Sequence, residues 1–186
     1  YNHEHVLREK LNRWEMTEVP EGILARRAVR RLQHAFELVP ARVALVLFRT
    51  WVNGWCTKRR FQIRGHPCMF GCVCSSPLDK SLDSIEHYSR CPVVVQFAQG
   101  HLRLPTQVIG NMLGFLCLCK DISDDMQTLQ LLLLYSVYSA TNCIRFAGPQ
   151  LDRQCMHEHL LQYMHQGASQ SSSAQKIVRE HVTMRW

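Results

Sequence analysis

Four residues between Cys68 and Cys91 have the types and spacing to grip a metal ion. Three residues separate Cys68 from Cys72, fourteen separate Cys72 from His87, and three separate His87 from Cys91. A close cysteine pair, a loop, then a His and a Cys about one helical turn apart offers three thiolates and one imidazole. That is a zinc donor set, and it fills a tetrahedron with no position left for water. A closed site of this kind contributes folding energy, on the order of 10 kcal/mol in small zinc modules, and performs no chemistry. Gly71 lets the first pair turn tightly. Cys74 is the alternative to Cys72; Cys72 is preferred because one intervening residue makes an awkward chelate for the two together. The competing reading, three buried cysteines and an unrelated histidine, fits the spacing less well.

The elements that must hold these ligands read as helices. Asp83, Ser84 and Glu86 predict a helix start, with acids near its positive end, and place His87 and Cys91 on one helix face. Upstream, His3 to Trp14 has helical periodicity. Glu21 to Leu38 is a stronger amphipathic helix, its apolar stripe running through Ile23, Leu24, Ala28, Leu32, Ala35 and Phe36. Pro40 to Trp55 reads as a buried helix with proline at its first turn. Downstream, Pro92 to Leu102 is a short helix, and Thr106 is expected to cap another reaching Leu118. Asp124 to Gly148, opened by Ser123 and stopped by Gly148-Pro149, is apolar nearly all round and is expected to be the central buried helix. Leu151 to Gln166 is a further helix. Gly167 to Gln175 (GASQSSSAQ) reads as a mobile low-complexity linker, followed over Lys176 to Trp186 by a short helix or a docking tail anchored by Ile177, Val178 and Trp186.

The fold class is therefore all-α, a helical domain organised around one structural zinc. The expected divisions are N-terminal helices over 1–61, a zinc module over 62–104, C-terminal helices over 105–166, and a linker and tail over 167–186.

The chain has 186 residues, a net charge of +7 and nine cysteines, with a pI of about 9.1. An odd, clustered set of cysteines suggests a reducing compartment. The first residue is Tyr1, which suggests a fragment or processed product. No apolar run is long enough to cross a bilayer. The basic balance favours an acidic partner. Arg26, Arg27, Arg30 and Arg31 recur at helical spacings beside the apolar stripe, with too few local carboxylates to neutralise them. Lys58, Arg59, Arg60 and Arg64 form a second run, interleaved with Phe61, leading into the metal stretch. Guanidinium forks suit phosphate oxygens, so both runs are candidate nucleic-acid contacts. Cys155, His157, His159 and His165 tempt a second metal site, but no further cluster completes them. Cys117, Cys119 and Cys143 read as buried thiols. There is no phosphate-cradling glycine loop, nucleophile elbow or HExxH, and Asp124-Asp125 reads as a helix start.

The run VPARVALVLFRTWVNGWCTKRRFQ, then CMFGC, then DSIEHYSRCPVV, resembles the region after the polymerase core in reverse transcriptases of non-long-terminal-repeat retrotransposons. LLLLYSVYSATNCIRFAG resembles the helices that follow it there. The resemblance covers roughly residues 13 to 148, and the zinc motif is its most specific part. It implies Cys68, Cys72, His87 and Cys91 as zinc ligands, with nearby basic residues touching nucleic acid. The polymerase fingers and palm, with their catalytic Asp-Asp strand, are absent, so this chain alone is not expected to polymerise. The expectation is a non-catalytic, zinc-binding, RNA-binding structural protein. Its partners would be structured RNA, ribosomal RNA for instance, and neighbouring proteins of an assembly such as a mitochondrial ribosome, with no small-molecule substrate. Two alternatives stand beside it: the nucleic-acid-binding end of an active reverse transcriptase, and an accessory subunit of a large protein complex.

Overall fold

The computed structural model describes residues 3–14, 16, 20–74, 81–147 and 155–182. Among these, every regular element is a helix. The order is α1 (His3–Asn12), α2 (Glu21–Leu38), α3 (Ala41–Trp51), α4 (Ile85–Tyr88), α5 (Pro92–Gly100), a 3-10 turn (Thr106–Val108), α6 (Met112–Phe115), α7 (Asp124–Ala147), α8 (Met156–Ala168) and α9 (Ser172–His181).

Helix α7 is the axis of the fold. It packs against α2, α3, α6, α8 and α9. Leu131, Leu132, Leu134, Val137 and Ala140 are all buried, as the nearly continuous apolar sequence requires. Two of its buried polar side chains bond to backbone carbonyls. The Ser136 hydroxyl donates to the Leu132 carbonyl at 2.7 Å, and the Gln130 amide donates to the carbonyls of Val108 and Gly114, both at 3.2 Å. Helix α3 starts after Pro40, whose missing N–H costs nothing at a helix entry. Its Val43, Val46, Leu47, Thr50 and Trp51 recur at three and four residues and turn one face inward. The Trp51 indole N–H donates to the Leu116 carbonyl at 3.0 Å. The Trp14 indole donates to the Trp51 carbonyl at 3.2 Å. Two buried indoles thus tie α1 and the segment after α6 to α3 without leaving an unpaired N–H. The buried side chains form one cluster running from Leu7 to Val178, so the four expected divisions share a core.

Three expectations are corrected. The helix expected from Thr106 to Leu118 is two short pieces. Gly110 takes a left-handed φ of 71° between them, and Cys117 takes φ 55° after the second. Asn111 caps α6, its side-chain oxygen accepting the Gly114 N–H at 2.7 Å. The linker expected over 167–175 is the end of α8 and the start of α9. Ser171 caps α9 by accepting the Ala174 N–H at 3.2 Å, and Ala174 and Val178 are buried. Serines that look like linker composition act here as a cap and a solvated helix face. Third, Cys91 is not on the helix of His87, as described below. The Gly148-Pro149 stop and the Trp186 anchor lie outside the described residues.

Gly114 marks a close backbone approach. A Cβ there would stand 2.3 Å from the Val108 carbonyl oxygen, a backbone atom that cannot swing away, whereas one at Gly100 would meet nothing within 4 Å. Gly114→Ala should therefore lower the unfolding free energy in urea by about 1–3 kcal/mol, and Gly100→Ala should leave it nearly unchanged. Equal midpoints for the two variants would contradict this packing.

Candidate metal centre

Three separate pieces of backbone bring the four ligands together. The first is the turn at 68–72. Gly71 adopts φ 68°, its N–H closes on the Cys68 carbonyl at 3.0 Å, and the Phe70 N–H points at the Cys68 sulfur at 3.4 Å. The second is α4. Ser84 is its cap, accepting the His87 N–H at 3.0 Å, which fixes the backbone that carries the imidazole. The third is the entry to α5. Helix α4 ends at Tyr88, the Arg90 N–H bonds back to the His87 carbonyl at 2.9 Å, and Cys91 sits at the cap of α5 with Pro92 as its first residue. Pro92 excludes helical backbone at Cys91, which takes ψ 125°. His87 and Cys91 therefore meet across a turn between two helices.

The sulfur atoms of Cys68, Cys72 and Cys91 and a ring nitrogen of His87 all lie within 4.8 Å of one another. Cys68 Sγ and Cys91 Sγ are 3.8 Å apart, and Cys72 Sγ is 3.2 Å from His87 Nε2. An ion holding thiolates at about 2.3 Å in a tetrahedron separates its sulfurs by about 3.8 Å. The donor set fits a metal ion in type, number and spacing. Cys74 is not in the converging group, although its sulfur lies 3.2 Å from that of Cys72. Among the described residues no second such group forms. In particular, His157 is half-buried, its Nε2 lying 3.2 Å from the Val93 carbonyl and its ring edge-on to Phe97.

The thiols of the cluster act on one another. Hydrogen bonding from Cys68, reinforced by His87, lowers the Cys91 thiol to about 4. The Cys68 thiol is pushed far up, first by that same contact and then by burial. Burial, with Cys74 alongside, raises Cys72 to about 12. One thiolate is thus favoured, and each further one is opposed by its neighbours. A divalent cation reverses that opposition, because it attracts all three.

Asp83 holds the module to the helical core, although in the sequence it reads only as a helix-start acid. It is fully buried. Its carboxylate accepts from Arg145 Nη2 at 2.8 Å, from the Tyr88 hydroxyl at 2.7 Å and from the Lys58 N–H at 2.8 Å. Burial and the nearby carboxylate hold the Tyr88 phenol well above its ordinary value. The available signal was Arg145, which ends α7 with no acid within four residues on that helix.

The eight basic residues singled out from sequence fall into two groups. On α2, Arg26 and Arg30 are exposed. Arg27 turns inward to the Leu118 carbonyl at 2.8 Å, and Arg31 reaches the Cys119 carbonyl at 2.8 Å and the Gln127 side chain. Carbonyl dipoles supply the counter-charge that carboxylates do not. With His34, Lys120, Asp121 and Ile23, Arg27, Arg30 and Arg31 line a groove of about 510 Å3. In the second group, Lys58 is half-buried and Arg64 is exposed. Arg59 lies 3.7 Å from Glu86, and Arg60 donates to the Trp55 carbonyl at 3.3 Å.

No family model, curated protein or solved structure matches this chain. The retrotransposon resemblance therefore rests on the residues quoted for it. No described helix is long and apolar enough to cross a membrane.

Removing the Asp83 carboxylate would strand the Arg145 guanidinium, whose side chain is only 8% exposed. Asp83→Ala should cost about 3–5 kcal/mol in chemical denaturation, and metal affinity should fall with it. Loss below about 1 kcal/mol would show that the pair does not anchor the module.

Proposed function

We propose that this chain is a non-catalytic RNA-binding structural module, folded around one structural zinc ion and derived from the region that follows the polymerase core of a retrotransposon reverse transcriptase. The observation that carries the RNA reading is the α2 groove, where Arg27, Arg30, Arg31 and Lys120 line one concavity against a single carboxylate, Asp121. Such a surface is complementary to a phosphate backbone and reads its shape rather than its bases. Arg27 and Arg31 are pre-positioned by the 118 and 119 carbonyls, so fewer rotamers are lost when phosphate arrives. Arg26 is exposed on the same helix, and Lys58 and Arg64 add positive charge in the second basic run. Structured RNA of a ribonucleoprotein, with an organellar ribosome as one candidate, suits this chemistry.

Zinc is the ion proposed for the cluster. Three thiolates and an imidazole match its borderline softness, and four protein ligands give it the closed coordination of a structural site. Cys68, Cys72, His87 and Cys91 would hold it, and it would supply folding energy rather than an activated water.

Elemental analysis of the native chain should find one zinc per molecule, with Cys68→Ser and Cys91→Ser losing both the metal and the fold of the zinc module. A metal-free native chain of unchanged stability would overturn the zinc assignment.

Binding to a folded RNA should weaken steeply as salt rises, since each neutralised phosphate releases counterion. Arg26→Ala with Arg30→Ala should flatten the log–log salt slope by about 2 while leaving helicity intact, alanine being the better helix former. An unchanged slope, or contacts from these side chains only to carboxylates of a protein neighbour in the native assembly, would replace the RNA reading with that of a protein-complex subunit.

A further inference from the structure

A second concavity, of about 300 Å3, lies apart from the α2 groove and is lined almost wholly by polar side chains. Arg13, from just beyond α1, lines it together with Arg59 and Arg60. Arg13 was in neither basic run recognised from sequence, because 46 residues of chain bring it there. Glu86 is the one carboxylate in the lining and lies 3.7 Å from Arg59. Three guanidiniums against one carboxylate leave the pocket cationic.

Two features show that this pocket is built rather than incidental. Arg60 is held from behind by the Trp55 carbonyl at 3.3 Å, and its backbone N–H is held by the buried Thr57 hydroxyl at 3.3 Å. Asn53 and Gln62, both in the lining, take left-handed backbone at φ 53° and 59°. That region is uncommon for residues with a Cβ, and a glutamine lacks the short side chain that eases it for asparagine. Strained backbone of this kind clusters at ligand sites, where the surroundings hold it in place. Beside the pocket stands Phe61, 58% exposed, with the Arg60 guanidinium 5.8 Å from its ring centre. An aromatic face next to a cationic pocket is the pairing that proteins use to hold an unpaired nucleotide.

The geometry points to a single-nucleotide site: the pocket takes a backbone phosphate of unpaired RNA on Arg13, Arg59 and Arg60, and Phe61 stacks the adjoining base. This rests on the RNA reading above and adds to it a preference for single-stranded segments, read at a place separate from the α2 groove. The side-chain amides of Asn53 and Gln62 are the groups in the lining suited to sugar hydroxyls or further phosphate oxygens.

The test uses the full metal-loaded chain and two labelled RNAs, a short unpaired oligoribonucleotide and a blunt duplex, followed by fluorescence anisotropy at fixed low salt. Phe61→Ala and Arg13→Ala should each weaken the oligonucleotide about tenfold and change duplex binding by less than about twofold. Phe61→Trp should retain oligonucleotide binding, because the stacking face is kept. Both positions are exposed, and unchanged thermal melts will show that the variants fold. Wild-type oligonucleotide affinity in both alanine variants overturns the site. So does equal loss on both RNAs, and so does inorganic phosphate displacing the oligonucleotide as well as a trinucleotide does. If Arg26→Ala with Arg30→Ala weakens the duplex while the pocket variants spare the oligonucleotide, this site falls and the RNA reading stands. If the unaltered chain binds neither RNA, both fall together.

Discussion

The buried carboxylate of Asp83 is the point at which the metal-binding segment and the helical core become one structure. An isolated ionised carboxylate in a protein interior costs far too much to persist. Arg145, the Tyr88 hydroxyl and the Lys58 N–H together fill its lone pairs. Each partner comes from a different place: the end of the central helix, the helix that carries His87, and the loop that carries the second basic run. A one-residue shift of the 81–84 loop would unpair all three. The cap at Ser84 follows directly in sequence, so the same constraint sets where α4 begins and where the imidazole points.

Packing reinforces that junction. Trp55 is fully buried, and its indole donates to Thr50 at 2.9 Å. Its ring lies 5.3 Å from Tyr138 of α7, edge-on, and 6.0 Å from Tyr88 of α4. Phe70, from the cysteine turn, meets Tyr88 at 5.4 Å. The metal ligands are thus carried on backbone whose neighbouring aromatics are already in the core. An ion bound there would restrain chain that the core also restrains, so metal and core would stabilise the same arrangement. A structural site benefits from this, since ligands held near their final separation lose little freedom on coordination.

The basic surface depends on the same core in a less obvious way. The arginines of α2 repel one another at three- and four-residue spacing. Arg27 and Arg31 escape this by turning to the carbonyls of Leu118 and Cys119, exposed to them because the chain leaves α6 through a left-handed residue at Cys117. Burial nonetheless lowers Arg31 below its ordinary value. His34, bridging Glu37 and Asp124 at 3.0 and 2.8 Å, closes one side of the groove. Its pKa is raised by those carboxylates, which favours a further positive charge there as pH falls.

Much was legible in the sequence because it is local. Amphipathic period, proline entry and capping residues determine where α2, α3 and α7 lie. Ligand type and spacing pick out Cys68, Cys72, His87 and Cys91 over the remaining cysteines, since a chelate needs short, particular separations. What the sequence by itself left open involves residues far apart along the chain. The separation of His87 and Cys91 onto two helices follows from how Pro92 and the 88–91 turn close against the core. Whether GASQSSSAQ is a linker or a helix turn depends on whether α7 offers α9 an apolar face, which it does through the burial of Ala174 and Val178. Asp83 is indistinguishable from a solvated helix-start acid until Arg145, 62 residues away, is folded against it. Tertiary structure decides such cases because a buried charge or an exposed helix face is defined by its neighbour, and the neighbour is chosen only when the chain packs.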